Sequence, residues 1–82
     1  HPKHGDFEII AQEWTARGLF HFIRGCRAFG NPWAKLADEV YYFADAIAFD
    51  EGRQMPGEFM VIGPNLMLKV RDGTVSLRLG GL

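Results

Sequence analysis

The sequence predicts an α+β domain in which two or three N-terminal helices pack on a C-terminal three-stranded antiparallel β-meander. Up to residue 50 the apolar residues recur every three or four positions, as on one face of a helix. From residue 58 onward they alternate with a period of two, as in strands. The chain has 82 residues, 48% of them hydrophobic and 13% aromatic, which predicts a single domain over 1–82 with its own core.

Residues 1–5 are predicted to form a flexible tail, and residues 6–29 carry the helical pattern twice. Asp6 is expected to cap a first helix, because its carboxylate can accept hydrogen bonds from the free N–H groups of the first turn. On a straight helix the two apolar quartets would face about 120° apart. We favour a break or sharp bend at Gly18, which gives two helices, and one continuous helix that contacts the core on two sides is the alternative. The quartets are Phe7, Ile10, Ala11 and Trp14, and then Leu19, Phe22, Ile23 and Cys26.

A third helix is predicted over residues 32–50, which makes 6–50 the helical part of the domain. Asn31 is an expected N-cap, and Pro32 suits the first helical position because its missing N–H is not needed there. The opposite, polar face of this helix carries the acidic residues Asp38, Glu39 and Asp45. The apolar stripe that predicts the helix consists of Trp33, Leu36, Ala37, Val40, Ala44 and Ile47.

Residues 58–79 are predicted to form the β-meander, after a linker over 52–57. Its strands are expected at 58–62, 66–71 and 74–79. Asp72-Gly73 is expected to be a two-residue type I′ turn, which would set Val70 opposite Val75. The alternation would then place the Leu and Val side chains on one face of the hairpin, and Lys69, Arg71 and Arg78 on the other.

Charge and cysteine content narrow the classes of partner and compartment. The net charge of −1 is too small to predict binding to nucleic acid or to an anionic membrane. No apolar run approaches the roughly 18 residues of a membrane span, so no membrane is expected as a partner. Cys26 is the one cysteine, which excludes an internal disulfide and favours a reducing compartment, hence a cytoplasmic location. Because the chain begins at His1 without Met, a removed leader stays open.

The sequence predicts neither a metal site nor any other cofactor. His1, His4, Asp6 and Glu8 form one cluster of metal-ligand types, but they lie at the N-terminal end and lack the spacing of zinc ligands. The glycines match neither fingerprint of a phosphate-binding loop.

The sequence also predicts no catalytic residues. Cys26 lies on an apolar stripe, where a thiol usually acts as a small hydrophobic group. His21 would be about 140° away from it on a helix, so the two would not pair. Ser76 is expected on the exposed strand face, with no histidine in its hairpin. We therefore expect a protein that is not an enzyme.

An excess of apolar residues predicts the function. The first strand can turn either Phe59 and Val61 or Met60 and Ile62 toward the core, but not both pairs, and the remaining pair would lie near Met67. Exposed apolar patches usually mark partner sites. The sequence thus predicts a small non-catalytic protein-binding module, an inhibitor, an adaptor or a self-associating unit. Its expected contact residues are Tyr42, Phe59, Val61 and Met67, flanked by the acidic helix face of Asp38, Glu39 and Asp45.

Nucleic-acid binding is the alternative prediction. The basic outer face of the hairpin, formed by Lys69, Arg71 and Arg78, would contact phosphates. Exposed aromatic residues that could stack on single-stranded bases are absent from that predicted face. Another protein or a second copy of the chain is therefore the favoured partner.

Overall fold

The computed structural model describes residues 8–26 and 32–80, which form a mostly β structure. Its five strands make one antiparallel sheet, in the order β1-β2-β5-β4-β3, that curls into a half-barrel. The predicted fold class of two or three helices on a three-stranded meander is therefore wrong, since the described residues hold one α-helix. The elements are a 3-10 turn at Ala11–Glu13, α1 at Ala16–Cys26, β1 at Trp33–Leu36, β2 at Glu39–Glu51, β3 at Phe59–Ile62, β4 at Asn65–Val70 and β5 at Gly73–Leu79.

The predicted third helix is a β-hairpin formed by β1 and β2. Leu36 lies opposite Glu39, so the turn between the strands has two residues, Ala37 and Asp38. Both have positive φ, 51° and 67°, as a type I′ turn requires. Pro32 does not begin a helix, and its carbonyl oxygen accepts a hydrogen bond from the N–H of Phe43 (2.9 Å). The proposed cap Asn31 lies outside the described residues.

Two irregularities in β2 explain why its sequence resembles a helix. The pairing of β2 with β5 shifts between Phe43 and Asp45, and again between Ala46 and Ala48. Each shift adds one residue to β2, as a β-bulge does, and turns the next side chain back toward the same face. Phe43, Ala46 and Phe49 therefore point to the core at intervals of three. An interval of three is close to the 3.6 residues of a helical turn and far from the period of a regular strand.

Helix α1 begins at Ala16 and continues through Gly18, so the predicted break there is wrong, and no helical hairpin forms in residues 8–26. Thr15 caps the helix, since its Oγ1 accepts a hydrogen bond from the N–H of Gly18 (3.1 Å). The N–H of Ala16 donates to Asp72 Oδ1 (2.7 Å), so a turn of the sheet also caps the helix. The predicted cap Asp6 lies outside the described residues.

The predicted three-stranded meander is present as β3, β4 and β5, with one correction to its register. Val70 lies opposite Gly73 and Leu68 opposite Val75, so the turn is Arg71-Asp72 and not Asp72-Gly73. The register is shifted by two residues. A shift of two keeps each side chain on its face, so the predicted separation into an apolar and a polar face holds for most positions. Thr74 is the exception, since it is buried.

The core lies on one face of the sheet, called here the core face, and the opposite side is the outer face. Helix α1 covers the core face with Ala16, Leu19 and Ile23, all fully buried. The curl brings together two strands that are not neighbours in the sheet. As a result, the rings of Tyr41 on β2 and Phe59 on β3 lie 5.6 Å apart. The sheet contributes Ala34, Leu36, Phe43, Ala46, Leu66, Leu68, Val70, Val75 and Leu77 to the core.

Candidate functional site

Strand β3 is an edge strand of the sheet, and its exposed side chains are apolar. It pairs with β4 on one side, and on its other side no strand of the described residues pairs with it. Its four residues are all apolar, and Met60, Val61 and Ile62 are 42%, 46% and 52% exposed. An exposed apolar edge strand is a template for pairing with another chain, which natural proteins usually block with charges, proline or a covering segment.

The backbone of β3 presents a defined set of hydrogen-bonding groups at the free edge. The N–H of Lys69 donates to the carbonyl oxygen of Glu58 (2.9 Å), so this pair is a hydrogen-bonded one. Hydrogen-bonded and non-hydrogen-bonded pairs alternate along an antiparallel ladder. Met60 therefore turns its N–H and C=O toward β4, whereas Phe59 and Val61 turn theirs away from it. The free edge thus offers two donors and two acceptors.

The side chains of β3 divide between the two faces of the sheet. Phe59 lies opposite the buried Leu68 and Val61 opposite the buried Leu66, so both belong to the core face. Met60 lies opposite Met67 on the outer face. Of the two arrangements left open by the sequence, the structure therefore takes the one that turns Phe59 and Val61 toward the core. Val61 is nevertheless nearly half exposed, because it lies at the rim of the half-barrel.

The other edge of the sheet, β1, is partly covered and carries a charge. The N–H of Ile9 donates to the carbonyl oxygen of Trp33 (2.7 Å), and Glu8 pairs with Trp33 as a parallel bridge. Lys35 on β1 is exposed. A covering segment and an edge lysine are two of the usual protections. Within residues 8–26 and 32–80, the unprotected apolar edge is therefore β3.

The remaining predicted contact residues do not join this edge. Tyr42 lies on the outer face of β2 opposite Trp33, and β5 and β4 separate its strand from β3 in the sheet. Met67 is half-buried on the outer face, next to Met60. The predicted patch of Tyr42, Phe59, Val61 and Met67 is thus divided between two faces and two ends of the sheet.

The acidic helix face does not exist, because its residues lie on a hairpin. Asp38 is in the turn between β1 and β2, and Glu39 is exposed at the start of β2. Asp45 lies opposite Arg78 on the outer face, and its Oδ1 accepts a hydrogen bond from the N–H of Ala46 (2.8 Å). These three carboxylates therefore do not form one surface beside β3.

The basic residues proposed for nucleic acid are also separated. Arg71 lies in the β4–β5 turn, and its guanidinium donates to the carbonyl oxygen of Glu13 (3.1 Å). Arg78 is opposite Asn65, four positions along β4 from Lys69, which corresponds to about 13 Å. The structure therefore does not gather Lys69, Arg71 and Arg78 into one patch.

Metal-binding side chains do not cluster within the described ranges 8–26 and 32–80. No group of three or more His, Cys, Asp or Glu side chains there could hold a metal ion. His1, His4 and Asp6 of the N-terminal cluster lie outside those ranges. Ser76 is opposite Met67 and Ala48, and the ring of His21 packs by Phe20.

A cleft of about 190 Å³ lies at the seam between the N-terminal segment, β1 and the start of β3. Its charged lining residues are Glu8, Lys35, Glu58 and Lys69. Two acids and two bases give the cleft no preference for one sign of ligand charge. It therefore has less support as a binding site than the edge of β3.

A run of consecutive apolar residues in the sequence indicates this exposed strand, although it is not part of the alternating pattern. Phe59–Ile62 are four consecutive apolar residues without a charge, preceded by Gly57-Glu58 and followed by Gly63-Pro64. A half-buried strand normally alternates, so a run of this kind marks either a strand buried on both faces or one with apolar residues exposed. Met60 and Ile62 were not among the predicted contact residues, although both are exposed.

Comparisons with known proteins add no family to this description. No protein-family model matches the chain, and no curated protein or solved structure matches it either. Within the described residues, no helix has the length and apolar character needed to cross a membrane.

Proposed function

We propose that this protein is a non-catalytic protein-binding module that takes an extended segment of a protein partner onto the free edge of β3. The observation that carries the proposal is the exposure of Met60, Val61 and Ile62 on a strand with one paired side. An added strand would bond to the outward N–H and C=O groups of Phe59 and Val61. Main-chain bonds of this kind give affinity, and alternate side chains give specificity.

The expected affinity is modest. Four main-chain hydrogen bonds contribute about 0.5–1.5 kcal/mol each, and burial of exposed apolar surface contributes about 25 cal/mol per Å². Loss of translational and rotational freedom on association opposes them by about 4 kcal/mol or more. The hydrogen bonds and the cost of association nearly offset each other, so a short extended segment is expected to bind weakly and mainly through the apolar surface that it buries.

The cellular setting and the alternative function rest on fewer observations. Cys26 is the one cysteine of the chain, which favours a reducing, cytoplasmic setting. Nucleic-acid binding through Lys69, Arg71 and Arg78 has weaker support, because the three side chains are separated and the guanidinium of Arg71 bonds to Glu13. Protein binding is therefore the function we propose.

A display library of short random peptides, selected on the immobilised protein, tests the proposal. Selected peptides are expected to lose binding to Val61→Lys, because a charge at an edge strand opposes pairing. They should keep binding to Ile47→Lys, a matched control, since Ile47 on β2 is also 46% exposed. A peptide with N-methyl groups on the amides that face β3 should not bind. A peptide with N-methyl groups on the intervening amides should still bind. Peptides that bind both lysine variants equally would place the binding site elsewhere.

A further inference from the structure

The edge of β3 is self-complementary, which identifies a specific partner strand. Its outward backbone groups belong to Phe59 and Val61, which are placed symmetrically about Met60. If a second copy approaches antiparallel with the two-fold axis at Met60, Phe59 of each copy lies opposite Val61 of the other. All four outward N–H groups then meet outward carbonyl oxygens. We propose that the partner strand is β3 of a second copy of this chain, an inference that rests on the proposed function.

The charges of the strand favour this antiparallel arrangement. The acidic residue beside the apolar run is Glu58, and β3 itself carries no charge. In the arrangement centred on Met60, Glu58 lies opposite Ile62 of the other copy. Parallel in-register pairing would instead set Glu58 opposite Glu58, and like charges directly opposite are destabilising.

The two ends of β3 limit the pairing to a short segment. Gly57 before the strand has a φ of 78°, and Gly63 after it has a φ of 59°, so the chain leaves the extended conformation at both ends. Pro64 follows, and it has no N–H to donate. The paired region is thus confined to about five residues per copy, which is enough to include Phe59, Met60 and Val61.

The proposed assembly ends at two copies. Pairing of the β3 edges would join two five-stranded sheets into one, and its outer edges would be the two β1 strands. Each β1 is bridged to Glu8 and Ile9 and carries Lys35, so it resists further addition of strands. The contact is isologous, which means that both copies use the same surface. The two-fold axis then leaves neither β3 edge free for a third copy.

The small size of the contact predicts a weak dimer. Stable dimers bury about 800 Å² per copy or more, and a four-residue strand supplies less than that. We expect monomer and dimer to exchange over micromolar to millimolar protein concentrations. Sedimentation velocity across that range is expected to show a weight-average mass that rises from one copy toward two.

Removal of one outward hydrogen-bond donor tests the register. Val61→Pro deletes an N–H that points away from β4, so the ladder within the sheet stays intact, and proline is tolerated at such edge positions. Each dimer loses two of its four main-chain bonds, and the dissociation constant is expected to rise about tenfold or more. Circular dichroism and thermal melting verify that the variant is folded. A dissociation constant that Val61→Pro leaves unchanged would overturn the proposal.

Engineered disulfides provide a second test that does not depend on a destabilising change. In a background with Cys26 replaced by alanine, Met60→Cys should form a disulfide between copies under mild oxidation. Residue 60 would lie opposite itself in a non-hydrogen-bonded pair, with Cα atoms about 4.5 Å apart, within the range that a disulfide spans. Ile62→Cys is the matched control, since its two copies would be about 13 Å apart and should not cross-link. Equal cross-linking of both variants would contradict the register.

The outcomes separate this inference from the proposed function. A monomer at all concentrations that still binds peptides in a Val61-dependent way would overturn the self-pairing and leave the binding function standing. A monomer whose Phe59 and Val61 amides exchange slowly with solvent would assign the edge to a segment of the same chain, and would overturn both. Absence of both peptide binding and self-association, with those amides exchanging quickly, would also overturn both.

Discussion

Gly73 lies where strand β5 passes closest to strand β2. A Cβ atom added there would overlap the carbonyl oxygen of Asp50 and would lie 2.9 Å from the Cα of Glu51. The φ of Gly73 is not positive, so the residue is needed for its small size and not for a left-handed conformation. This is why Gly73 belongs to β5, and why the turn is formed by the two residues before it.

Gly73→Ala is therefore expected to lower the free energy of unfolding by about 1–3 kcal/mol, the usual cost of inserting a methyl group into a closely packed site. Gly25→Ala is the control. No atom of the described residues lies within 4 Å of the position its Cβ would take, and alanine favours the helix, so stability should rise by up to about 1 kcal/mol. Urea denaturation of both variants measures the difference. A Gly73→Ala protein as stable as the parent would contradict the close approach of β2 and β5.

At the scale of one element, β2 is a strand whose inward residues are spaced like those of a helix. Phe43 is fully buried and Ile47 is 46% exposed. The helical interpretation placed Ile47 on the main apolar stripe, which Phe43 widened, whereas the bulged strand buries Phe43 and leaves Ile47 nearly half exposed. The two interpretations therefore make different predictions for the stability of single variants.

Phe43→Ala should lower the free energy of unfolding by about 3–5 kcal/mol, because it leaves a cavity between the sheet and helix α1. Ile47→Ala should cost less than about 1 kcal/mol, since much of this side chain stays in solvent. Thermal and urea unfolding of the two variants give both values. A larger loss for Ile47→Ala than for Phe43→Ala would support a helix over residues 32–50 and contradict the bulged strand.

Helix α1 illustrates a second feature that only the assembled sheet explains. Its first turn is capped by Thr15, the residue directly before the helix, and by Asp72 in the β4–β5 turn. Thr15 was not among the predicted caps, since the helix start was predicted at Asp6. The cap from Asp72 spans 56 positions of the chain, so no local pattern contains it.

At the scale of the whole molecule, the curl of the sheet is closed by a contact between strands that do not pair. The rings of Tyr41 and Phe59 lie 5.6 Å apart and tilted by 56°, although β5 and β4 separate β2 from β3 in the sheet. Aromatic pairs at such distances contribute beyond the area that they bury.

A double-mutant cycle of Tyr41→Leu and Phe59→Leu should give a coupling energy of about 0.5–1.5 kcal/mol. Tyr42→Leu replaces Tyr41→Leu in the control cycle, because Tyr42 lies opposite Trp33 on the outer face. The effects of Tyr42→Leu and Phe59→Leu should add within about 0.5 kcal/mol. Equal coupling in both cycles would mean that the sheet is not closed by the Tyr41 ring.

The predicted contact residues stay a prediction. The sequence singled out Phe59 and Val61 as the apolar pair left near Met67, whereas the structure sets Met60 beside Met67 and turns Phe59 and Val61 toward the core face. The predicted meander already made its first strand an edge, and the structure adds that β2 pairs with β5 and so covers the other edge of the meander.

The predicted acidic helix face does not form, because Asp38, Glu39 and Asp45 lie on a hairpin. Nucleic-acid binding through Lys69, Arg71 and Arg78 stays a prediction, with the three side chains separated in the structure.

What the sequence determined by itself is the meander of β3, β4 and β5 and the two faces of the β4–β5 hairpin. These follow from a period of two, which survives a register shift of two residues. Only the tertiary structure decided that residues 32–50 form strands, that Gly73 lies beside Asp50, and that β2 pairs with β5 at the other edge of the meander. The physical reason is that bulges and close backbone approaches are set by the neighbouring strand, and the spacing of residues along a single strand does not contain its neighbour.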